Sequence, residues 1–460
     1  MMELKGKKVL VVGLGKSGLA AALFLRRKGA QVTVSDTRSA ESLAKEIPAL
    51  LDAGIMVEAG GHGLLTFRRQ DLIVVSPGVP LDTPELVQVR SFGLPVIGEL
   101  ELAARFLKGK VLAITGSNGK TTTTALLGAI LEEAGLPVLV GGNIGVPVIS
   151  LVEQSTGDTW SVLEVSSFQL ESTEQFHPAI AVILNITPDH LDRHGSFENY
   201  ARAKERIFAA QTGGDAVVLN ADNARTAQAA ARCNAQVLWF SIEHAVRQGA
   251  WVDGGYIVYR GAPGGEVERI MPLSKIPLKG EHNVENVVAA VCAARQAGAS
   301  AGAIGRAIEK FQAVEHRLEY VAAINGVEFY NDSKATNVDA AAKAVAAFSG
   351  GVHLILGGKD KGSDYTALAD LLRQRVRAVY TIGSAAAKIE SQLRGVVSLH
   401  SCETLERAVN SAAAAAHAGE VVLLAPACSS FDQFDNYEHR GRAFKDLVNE
   451  RRRLAVQQRA

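Results

Sequence analysis

The sequence predicts an α/β fold with three separate units, each organised around a parallel sheet. The length of 460 residues corresponds to about three domains at roughly 150 residues each. Short apolar runs typical of buried strands alternate with helical segments, which is the pattern of a doubly wound parallel sheet. Two of these runs lead directly into a glycine-rich turn and then a helix, an arrangement that favours nucleotide binding.

The first unit, residues 1–97, opens on the apolar run Lys8–Val12, which predicts a buried strand. A glycine-rich turn follows, and then a helical pattern from Leu19 to Lys28. Two more strands are expected, at residues 31–35, which end at Asp36, and at residues 71–75, which lead into Ser76-Pro77-Gly78. We therefore place the end of this unit near Gly98.

The glycine turn matches a dinucleotide-binding fingerprint. Its spacing is Gly13-x-Gly15-x-x-Gly18, with Asp36 about 20 residues further on. Glycines let the backbone approach a diphosphate, and the acidic residue can accept a hydrogen bond from a ribose or a base. The motif indicates a diphosphate-linked nucleoside without specifying nicotinamide. The alternative is a plain tight turn between strand and helix.

The second unit, residues 98–313, begins with another buried-strand run at residues 110–114. A helix is expected from about Thr122 to Ala134, where Gly135 provides a stop signal. Further strands are expected at residues 160–165, 179–185 and 216–220. The polar, glycine-rich stretch at residues 252–268 predicts a β-hairpin.

A phosphate-binding loop joins the first strand and helix of this second unit. In Gly116-x-x-Gly119-Lys120-Thr121, backbone amides can hold phosphate oxygens, the lysine can reach the β- and γ-phosphates, and the threonine hydroxyl can ligate Mg²⁺. The full Walker pattern requires glycine where Ile114 stands, so only the shorter motif is met. ATP is the expected ligand, and the alternative is a chance Gly-Lys turn.

The third unit, residues 314–460, repeats the α/β pattern. Strands are expected at residues 327–330, 352–356, 379–382 and 421–425. Alanine-rich helices are expected between them, at residues 339–348 and 405–418. Each of these strands again ends near polar residues, where parallel sheets commonly bind ligands.

Three side chains of the second unit are open to more than one interpretation. Glu164 ends a strand beside the phosphate loop and suits a metal role, although alone it would be a surface glutamate. His190 follows Asp189 at another strand end and can ligate a metal, orient a phosphate or be structural. Lys204 lies in a charged helix, so periodicity alone predicts a solvated lysine.

Polar turns also follow the strands of the third unit. In Asn331–Asn337, Asp332 and Lys334 are surrounded by helix-capping residue types, and on this segment alone a cap plus loop is favoured. The segment Gly357–Gly362 places two lysines on a flexible backbone and suits an anionic ligand. The turn Ser429–Phe434 follows Cys428, which has no evident histidine partner for thiol catalysis.

Composition excludes several classes of protein. The counts of basic and acidic residues are both 48, so the net charge is zero and a globally basic nucleic-acid binder is not expected. No apolar stretch reaches the roughly 18 residues of a membrane span, and no secretory signal is evident. Four scattered cysteines without a CxxC motif favour a reducing cytoplasm over a disulfide framework or zinc site.

These motifs, in this order, resemble the Mur ligases of bacterial cell-wall synthesis over essentially the whole chain. The family hallmark corresponds to Thr115–Thr122, with Ser117 at a position often occupied by threonine. Residues 163–171, 331–337 and 429–434 resemble the branch that adds D-glutamate. The resemblance implies a Rossmann-like N-terminal domain, a central P-loop ATPase-like parallel-sheet domain and a Rossmann-like C-terminal domain. These would bind the UDP-linked substrate, ATP and the amino acid respectively.

The resemblance also implies roles for individual residues. Catalytic roles fall to Lys120, Glu164, His190 and Lys204. Two Mg²⁺ ions would be held by Thr121, Glu164, His190 and Lys204, the last as a carbamylated lysine. ATP would be bound by Gly116, Ser117, Asn118, Gly119, Lys120, Thr121, Thr122, Asn283, Asn286, Arg317 and Asp332. The UDP-linked substrate would be bound by Gly15, Lys16, Ser17, Gly18, Asp36, Thr37, Arg38, Gly78, Asn143, Gln169 and His190. D-Glutamate would be bound by Lys334, Thr336, Lys361, Ser430, Phe431 and Tyr437, where the family usually has phenylalanine at the last position.

The implied activity is that of an ATP-dependent acid–amino-acid ligase. UDP-N-acetylmuramoyl-L-alanine, D-glutamate and ATP would be its partners in peptidoglycan precursor synthesis, with an acyl-phosphate intermediate and a monomeric enzyme. A related ligase is one alternative, although a folylpolyglutamate synthetase should lack the motif at Gly13–Gly18. A nucleotide-regulated binding protein without turnover is the other, but such a protein has no need of a two-metal phosphoryl-transfer site.

Overall fold

The computed structural model describes residues 2–312 and 314–457. Residues 1, 313 and 460, which bound the expected domains, lie outside the described residues. The chain divides into two compact units. The first comprises Met1–Ile186, Glu198–Pro272 and Val287–Ile308, and the second comprises Thr187–Phe197, Leu273–Asn286 and Glu309–Ala460. Two sheets belong to the first unit and one to the second.

The first sheet is wholly parallel and has the strand order β3-β2-β1-β4-β5, which is the order of a Rossmann-type half. Its strands are β1 Lys8–Val12, β2 Gln31–Asp36, β3 Met56–Ala59, β4 Leu72–Val75 and β5 Val96–Gly98. Its helices are α1 Lys16–Arg27, α2 Ile47–Asp52, α3 Leu64–Arg68, α4 Pro84–Ser91 and α5 Glu99–Ala104. The helix predicted to start at Leu19 begins three residues earlier, because Gly15 is extended and serves as its N-cap.

The second sheet has nine strands in the order β14-β13-β12-β11-β10-β9-β6-β8-β7. The strands are β6 Lys110–Thr115, β7 Val138–Gly142, β8 Trp160–Glu164, β9 Ile180–Ile183, β10 Ala216–Asn220, β11 Gln236–Ser241, β12 Gly249–Asp253, β13 Tyr256–Arg260 and β14 Glu268–Pro272. Strands β6 to β12 pair in parallel, whereas β12–β13 and β13–β14 are antiparallel, which confirms the hairpin expected in this region. The phosphate-loop strand β6 lies between β8 and β9.

The middle part of the chain contains helices of several lengths. Between residues 120 and 310 they are α6 Lys120–Glu133, α7 Val148–Leu151, α8 Ser167–Glu171, α9 Leu191–His194, α10 Phe197–Glu205, α11 Ala224–Ala229, α12 Glu281–Gln296 and α13 Ala301–Lys310. Short 3₁₀ turns follow several of them.

The third sheet has six strands in the order β15-β16-β20-β17-β18-β19, with only β15 antiparallel to its neighbour. The strands are β15 Glu319–Ile324, β16 Val327–Asn331, β17 Val352–Gly357, β18 Val376–Ile382, β19 Ser398–Glu403 and β20 Val421–Leu424. The helices are α14 Val338–Ala346, α15 Ala369–Arg375, α16 Ala386–Gln392, α17 Leu405–Ala415 and α18 Tyr437–Gln457. The expected α/β fold class is therefore confirmed.

Central strands carry the cores of all three sheets. Every residue of β4, β8, β10, β17 and β20 is buried, as expected for parallel strands covered on both faces. Strands that sequence analysis missed include β3, β5, β7, β14, β15 and β19, which are the edge strands. Edge strands such as β3 and β19 pair on one side only and stay partly exposed, so they lack a continuous apolar run. Strand β11, which lies inside the second sheet, was also missed.

No helix in the described part of the chain is both long enough and apolar enough to cross a bilayer. The longest, α18, carries many charged residues along its 21 positions.

Helix α5 contains two buried carboxylates, which is unusual for so short a helix. Glu99 is 1% exposed, and one of its oxygens accepts a hydrogen bond from the amide of Ile149 at 2.7 Å. The other oxygen, Oε2, is buried without a hydrogen-bond partner. Burial raises the pKa of Glu99 to about 7, although the Ile149 amide acts in the opposite direction.

We expect Glu99→Gln to reduce the dependence of stability on pH. Between pH 4.5 and about 7 the unfolded chain loses this proton while the folded chain keeps it, so the free energy of unfolding of the unchanged protein falls with rising pH. The melting temperature of the variant minus that of the unchanged protein, both measured by calorimetry, should therefore increase from about pH 5 to about pH 8. Glu153→Gln, at an exposed position of the same unit, is the control. A difference that stays constant with pH would contradict the assignment.

Candidate functional site

The glycine turn after β1 is shaped by close backbone contacts. A Cβ atom at Gly18 would lie 1.9 Å from the carbonyl oxygen of Gly13, so only glycine fits there. The Ser76 hydroxyl, from the turn after β4, donates to that same carbonyl at 2.7 Å. Helix α1 starts at Lys16 without a side-chain cap, so its first amides are available to an anion.

Asp36 holds this turn in place. Its carboxylate accepts from the amide of Leu14 at 2.6 Å and from the Arg38 guanidinium at 3.0 and 3.1 Å. Burial alone would raise the pKa of Asp36, but the hydrogen bonds from Arg38 and Leu14 outweigh it and lower the pKa. Thr37 and Gly78 lie exposed at the same edge of the sheet. Asp36 thus orders the loop through its own hydrogen bonds.

The phosphate loop between β6 and α6 is held by Asn185. Its side-chain oxygen accepts from the Asn118 amide at 2.9 Å, and its amide nitrogen donates to the Asn118 carbonyl at 3.2 Å. Gly119 is left-handed, with φ of 85°, and Lys120 begins the helix immediately after it. The Lys120 ammonium donates to the carbonyls of Gly116 and Ser117 at 2.8 Å each.

Glu164 meets the phosphate loop because of strand register. It lies opposite Ile114, in the neighbouring strand, just before the loop begins. One carboxylate oxygen accepts from the Thr121 hydroxyl at 2.7 Å and the other from the Asn143 amide at 2.9 Å. Glu164 is 1% exposed, so the interpretation as a surface glutamate is wrong. A hydroxyl and a buried carboxylate are oxygen donors of the kind that Mg²⁺ prefers, so these residues fit that ion.

Lys204 also lies beside this loop. The side chain is 2% exposed, so the solvated lysine that periodicity predicts is wrong. Its ammonium donates to the Gly116 carbonyl at 2.7 Å and lies 4.5 Å from the ring centre of Tyr200, whose hydroxyl is 3.0 Å from that of Ser117. A charged helix can therefore present one lysine inward, and helix periodicity alone does not indicate it. Carbamylation would replace the positive charge of the ammonium by an anionic carboxylate and leave a single N–H on Nζ.

Gln169 caps the short helix α8. Its side-chain oxygen accepts from the amide and the hydroxyl of Ser166, and the Ser166 hydroxyl accepts from the Gln169 amide, which forms a capping box. The residue is 3% exposed. Gln169 and Asn143 thus lie on two segments that follow neighbouring strands, β8 and β7.

In the second unit, His190 adopts a left-handed conformation with φ of 52°. Its amide donates to Asp189 at 2.9 Å, and its Nε2 lies 3.6 Å from the other oxygen of that carboxylate. Asp189 also accepts from Asn337 at 3.1 Å and lies 3.7 Å from the Lys361 ammonium. His190 is therefore associated with the segment that carries Lys361.

The segment around Arg317 has a strained backbone. His316 and Leu318 both have positive φ, 65° and 41°, which non-glycine residues rarely adopt. The buried His316 side chain is held by Asn331 at 2.9 Å. Burial raises the pKa of Asp332 to about 7, although Arg317 and the Leu318 amide lower it.

Asn283 and Asn286 lie one turn apart on α12. The Asn286 amide donates to the Asn283 side-chain oxygen at 3.2 Å, and the Asn283 amide donates to the Lys279 carbonyl at 2.7 Å. Both side chains are at least nine-tenths buried.

Two loops of the third sheet join at the residues predicted to bind D-glutamate. A pair of backbone hydrogen bonds connects Lys359 with Ser429, at 2.8 and 3.1 Å. Lys361 and Ser430 follow this bridge directly, so they are held on adjacent segments. Phe431 is 68% exposed.

Lys334 lies on the ring of Tyr437. Its ammonium is 3.7 Å from the ring centre, within cation–π distance. The Lys334 carbonyl accepts from the Thr336 amide at 2.8 Å. The tyrosine that departs from the family's phenylalanine thus retains the aromatic ring that contacts lysine.

Arg440 organises these segments, and sequence analysis missed it. The side chain is 1% exposed, and burial lowers its pKa to about 10. The guanidinium donates to the Ser333 hydroxyl and carbonyl and to the carbonyls of Cys428 and Ser429, over distances of 2.9 to 3.4 Å. Arg440 lies on a polar helix that the sequence did not predict, and nothing in the local sequence indicates that its side chain is buried. Cys428 contacts the Tyr365 hydroxyl at 2.9 Å, and burial raises its pKa to about 11, so a catalytic thiol is disfavoured.

The fold and loops define an α/β nucleotide-binding protein with a phosphate-binding loop. Three family models match in succession: a Mur ligase MurD-like N-terminal domain over residues 7–98, a Mur ligase middle domain over residues 114–294, and a Mur ligase glutamate ligase domain over residues 316–428. The chain is 72% identical over 459 residues to the UDP-N-acetylmuramoylalanine–D-glutamate ligase of Acidobacterium capsulatum, with 100% of both chains covered. It is 61% identical to the ligase of the same name from Koribacter versatilis, covering 99% of this chain and all of that one. The chain belongs to the Mur ligase family.

Solved structures share the fold. A pseudomurein peptide ligase type C from Methanothermus fervidus superposes with a TM-score of 0.61 at 22% identity, covering 97% of this chain and 100% of that one. The MurF ligase of Thermotoga maritima in complex with ADP gives 0.60 at 18% identity, covering 98% and 96%.

We expect Asn185→Ala to weaken nucleotide binding by about tenfold, because it leaves the Asn118 amide and carbonyl of the phosphate loop without their side-chain partner. Titration calorimetry with ADP measures this change. Asn234→Ala, at an exposed position of the same unit, is the control. A folded Asn185→Ala variant with unchanged ADP affinity would show that the loop is ordered without this side chain.

Proposed function

We propose that this chain joins D-glutamate to UDP-N-acetylmuramoyl-L-alanine in an ATP-dependent reaction of peptidoglycan precursor synthesis. The observation that carries the proposal is 72% identity, over the full length of both chains, to a ligase named for that reaction. We further propose that residues 1–97 bind the UDP moiety, residues 98–313 bind ATP, and residues 314–460 bind D-glutamate.

The phosphate loop supports the proposed use of ATP. Its amides, Lys120 and Thr121 are the groups that bind a nucleotide's phosphates in loops of this kind. Lys120 exchanges its contacts with the loop carbonyls for phosphate oxygens when the nucleotide is bound. Asn185 keeps the loop in the receptive shape beforehand, which reduces the cost of ordering it on binding.

Mg²⁺ is proposed as the metal, held in the first unit by Thr121, Glu164 and a carbamylated Lys204. When bound, Mg²⁺ supplies positive charge that offsets the charge on the transferring phosphoryl group. Asn143 donates to Glu164 and so fixes the orientation of that carboxylate. The roles predicted for His190 as a metal ligand, and for Asn283, Asn286, Arg317 and Asp332 as nucleotide contacts, stay predictions.

The proposed chemistry has two steps. The terminal carboxylate of UDP-N-acetylmuramoyl-L-alanine attacks the γ-phosphorus of ATP, and the bond to ADP breaks, which gives an acyl phosphate. The neutral amine of D-glutamate then attacks the acyl carbon, loses a proton, and expels inorganic phosphate as the amide forms. Lys120 stabilises charge in the first step, and the protein's main contribution is to position the reacting groups.

An acidic amino acid suits the loops joined through Lys359 and Ser429. Lys361 brings a positive charge, and Ser430 brings a buried hydroxyl on the adjacent segment. Both groups can bind a side-chain carboxylate, which a neutral or basic amino acid does not offer. We propose a monomeric enzyme in the cytoplasm, and the four free cysteines support the reducing compartment.

The first test is phosphate release by purified protein with Mg²⁺, ATP and UDP-N-acetylmuramoyl-L-alanine. D-Glutamate, L-glutamate, L-lysine and meso-diaminopimelate are added separately, and the product masses are measured by mass spectrometry. We expect release with D-glutamate alone, with a product heavier by one glutamyl unit. Release with a different amino acid would assign the chain to another ligase of the family, and no release would favour a binding protein without turnover.

We expect Lys361→Ala to raise KM for D-glutamate by about tenfold or more while KM for ATP changes little, because a cation that pairs with a carboxylate is removed. Steady-state kinetics with each substrate varied in turn measure both values. Lys275→Ala removes an exposed lysine of the same unit and serves as the control. Unchanged KM for D-glutamate and unchanged kcat would refute the assignment.

A further inference from the structure

Helix α5 follows the last strand of the first sheet and brings two carboxylates into the interior. Glu99 and Glu101 are 1% and 0% exposed. A buried carboxylate is costly unless hydrogen bonds compensate for the water it loses. The hydrogen-bond partners of the two carboxylates therefore indicate their structural role.

Glu101 binds one segment of the second sheet through three backbone amides. Its Oε2 accepts from Glu174, Gln175 and Phe176 at 2.9, 3.0 and 3.1 Å. Its Oε1 accepts from the Arg105 guanidinium at 2.9 and 3.0 Å. Three of these five contacts link α5 to the segment that follows α8, and the other two come from Arg105 at the C-cap of α5 itself.

Glu99 binds a different segment. Its Oε1 accepts from the amide of Ile149, in the first turn of α7, at 2.7 Å. The two acids thus extend from a single turn of helix to α7 and to the segment after α8.

Both bound segments carry residues predicted to contact the UDP-linked substrate. Asn143 lies six positions before Ile149, and its backbone N–H donates to the Glu164 carbonyl at 2.8 Å. Gln169 lies on α8, just before the amides that Glu101 binds. Glu99 and Glu101 thus bind chain segments that lie close in sequence to Asn143 and Gln169.

The residue before α5 is linked to the glycine turn through strands β5 and β4. Gly98 precedes the helix and lies opposite Val75 in the β4–β5 register. Ser76 follows Val75 and donates to Gly13 of the turn. The Gly98 amide donates to the Ser172 carbonyl at 3.2 Å, and a Cβ on Gly98 would lie 2.1 Å from the Ser172 hydroxyl oxygen. Short contacts therefore connect the diphosphate turn to α5, and α5 to the segments that carry Asn143 and Gln169.

We propose that Glu99 and Glu101 are positioning residues that fix the distance between the diphosphate turn and the segments of Asn143 and Gln169. The inference rests on the proposed function, because a substrate with a nucleoside diphosphate at one end and a reacting carboxylate at the other must meet both places at once. The two carboxylates touch neither end of that substrate. They determine whether both ends can be bound together.

The test compares a ligand that uses one end with a ligand that uses both. UDP engages the diphosphate turn alone, whereas UDP-N-acetylmuramoyl-L-alanine also reaches Asn143 and Gln169. For Glu101→Met, calorimetry on the full-length protein should give an unchanged Kd for UDP, within about twofold, and a Kd for the full substrate raised by about tenfold. Glu101→Gln keeps an oxygen for the three amides and should raise that Kd by only about threefold.

The controls separate positioning from general loosening. Glu153→Met replaces an exposed glutamate of the same unit and should change neither Kd. Equal weakening of both ligands by the Glu101 variants would overturn the proposal, and so would a folded Glu101→Met variant with both Kd values unchanged. If Glu101→Met does not fold, Glu101→Gln decides by the same comparison. Failure of the unaltered protein to bind UDP-N-acetylmuramoyl-L-alanine at all would instead refute the proposed function.

Discussion

The register of parallel strands is the constraint on which the rest of this molecule depends. Parallel strands bring their carboxyl ends to one edge of a sheet, and the residues that follow them become neighbours. Pairing of β6 with β8 sets Glu164 opposite Ile114 and so beside Thr121 of the phosphate loop. Pairing of β4 with β5 sets Gly98 beside Val75, next to the glycine turn. A shift of one residue in either pairing would separate groups that must act together.

Buried polar side chains hold the loops at these strand ends. Asn185 binds the phosphate loop, and Glu101 binds three successive amides. Arg440 binds carbonyls next to the residues predicted to bind D-glutamate. In each case a side chain forms hydrogen bonds with backbone groups that have no partner in a strand or helix. Loops fixed in this way present their remaining amides and side chains in a defined direction, which reduces the ordering that a ligand must impose.

Local sequence was sufficient for the strands that are buried on both faces. Lys8–Val12 and Ala216–Asn220 form strands with the bounds expected from their apolar runs. Edge strands such as β3 and β19 escaped because an exposed edge does not demand continuous apolar residues. The phosphate-loop residues were evident because glycine, lysine and threonine at that spacing serve one purpose, whereas the remote partner Asn185 carries no comparable signal.

By itself, the sequence determined the α/β class, the two glycine-rich turns and the family to which the chain belongs, because these depend on local spacing and on order along the chain. Only the tertiary structure decided which polar side chains are buried. Lys204 was predicted to be solvated, and the sequence led to no prediction for Arg440, Glu99 or Glu101, yet each of the four is almost fully enclosed. The physical reason is that burial depends on what packs against a helix face, and those partners lie as many as 107 residues away in the chain.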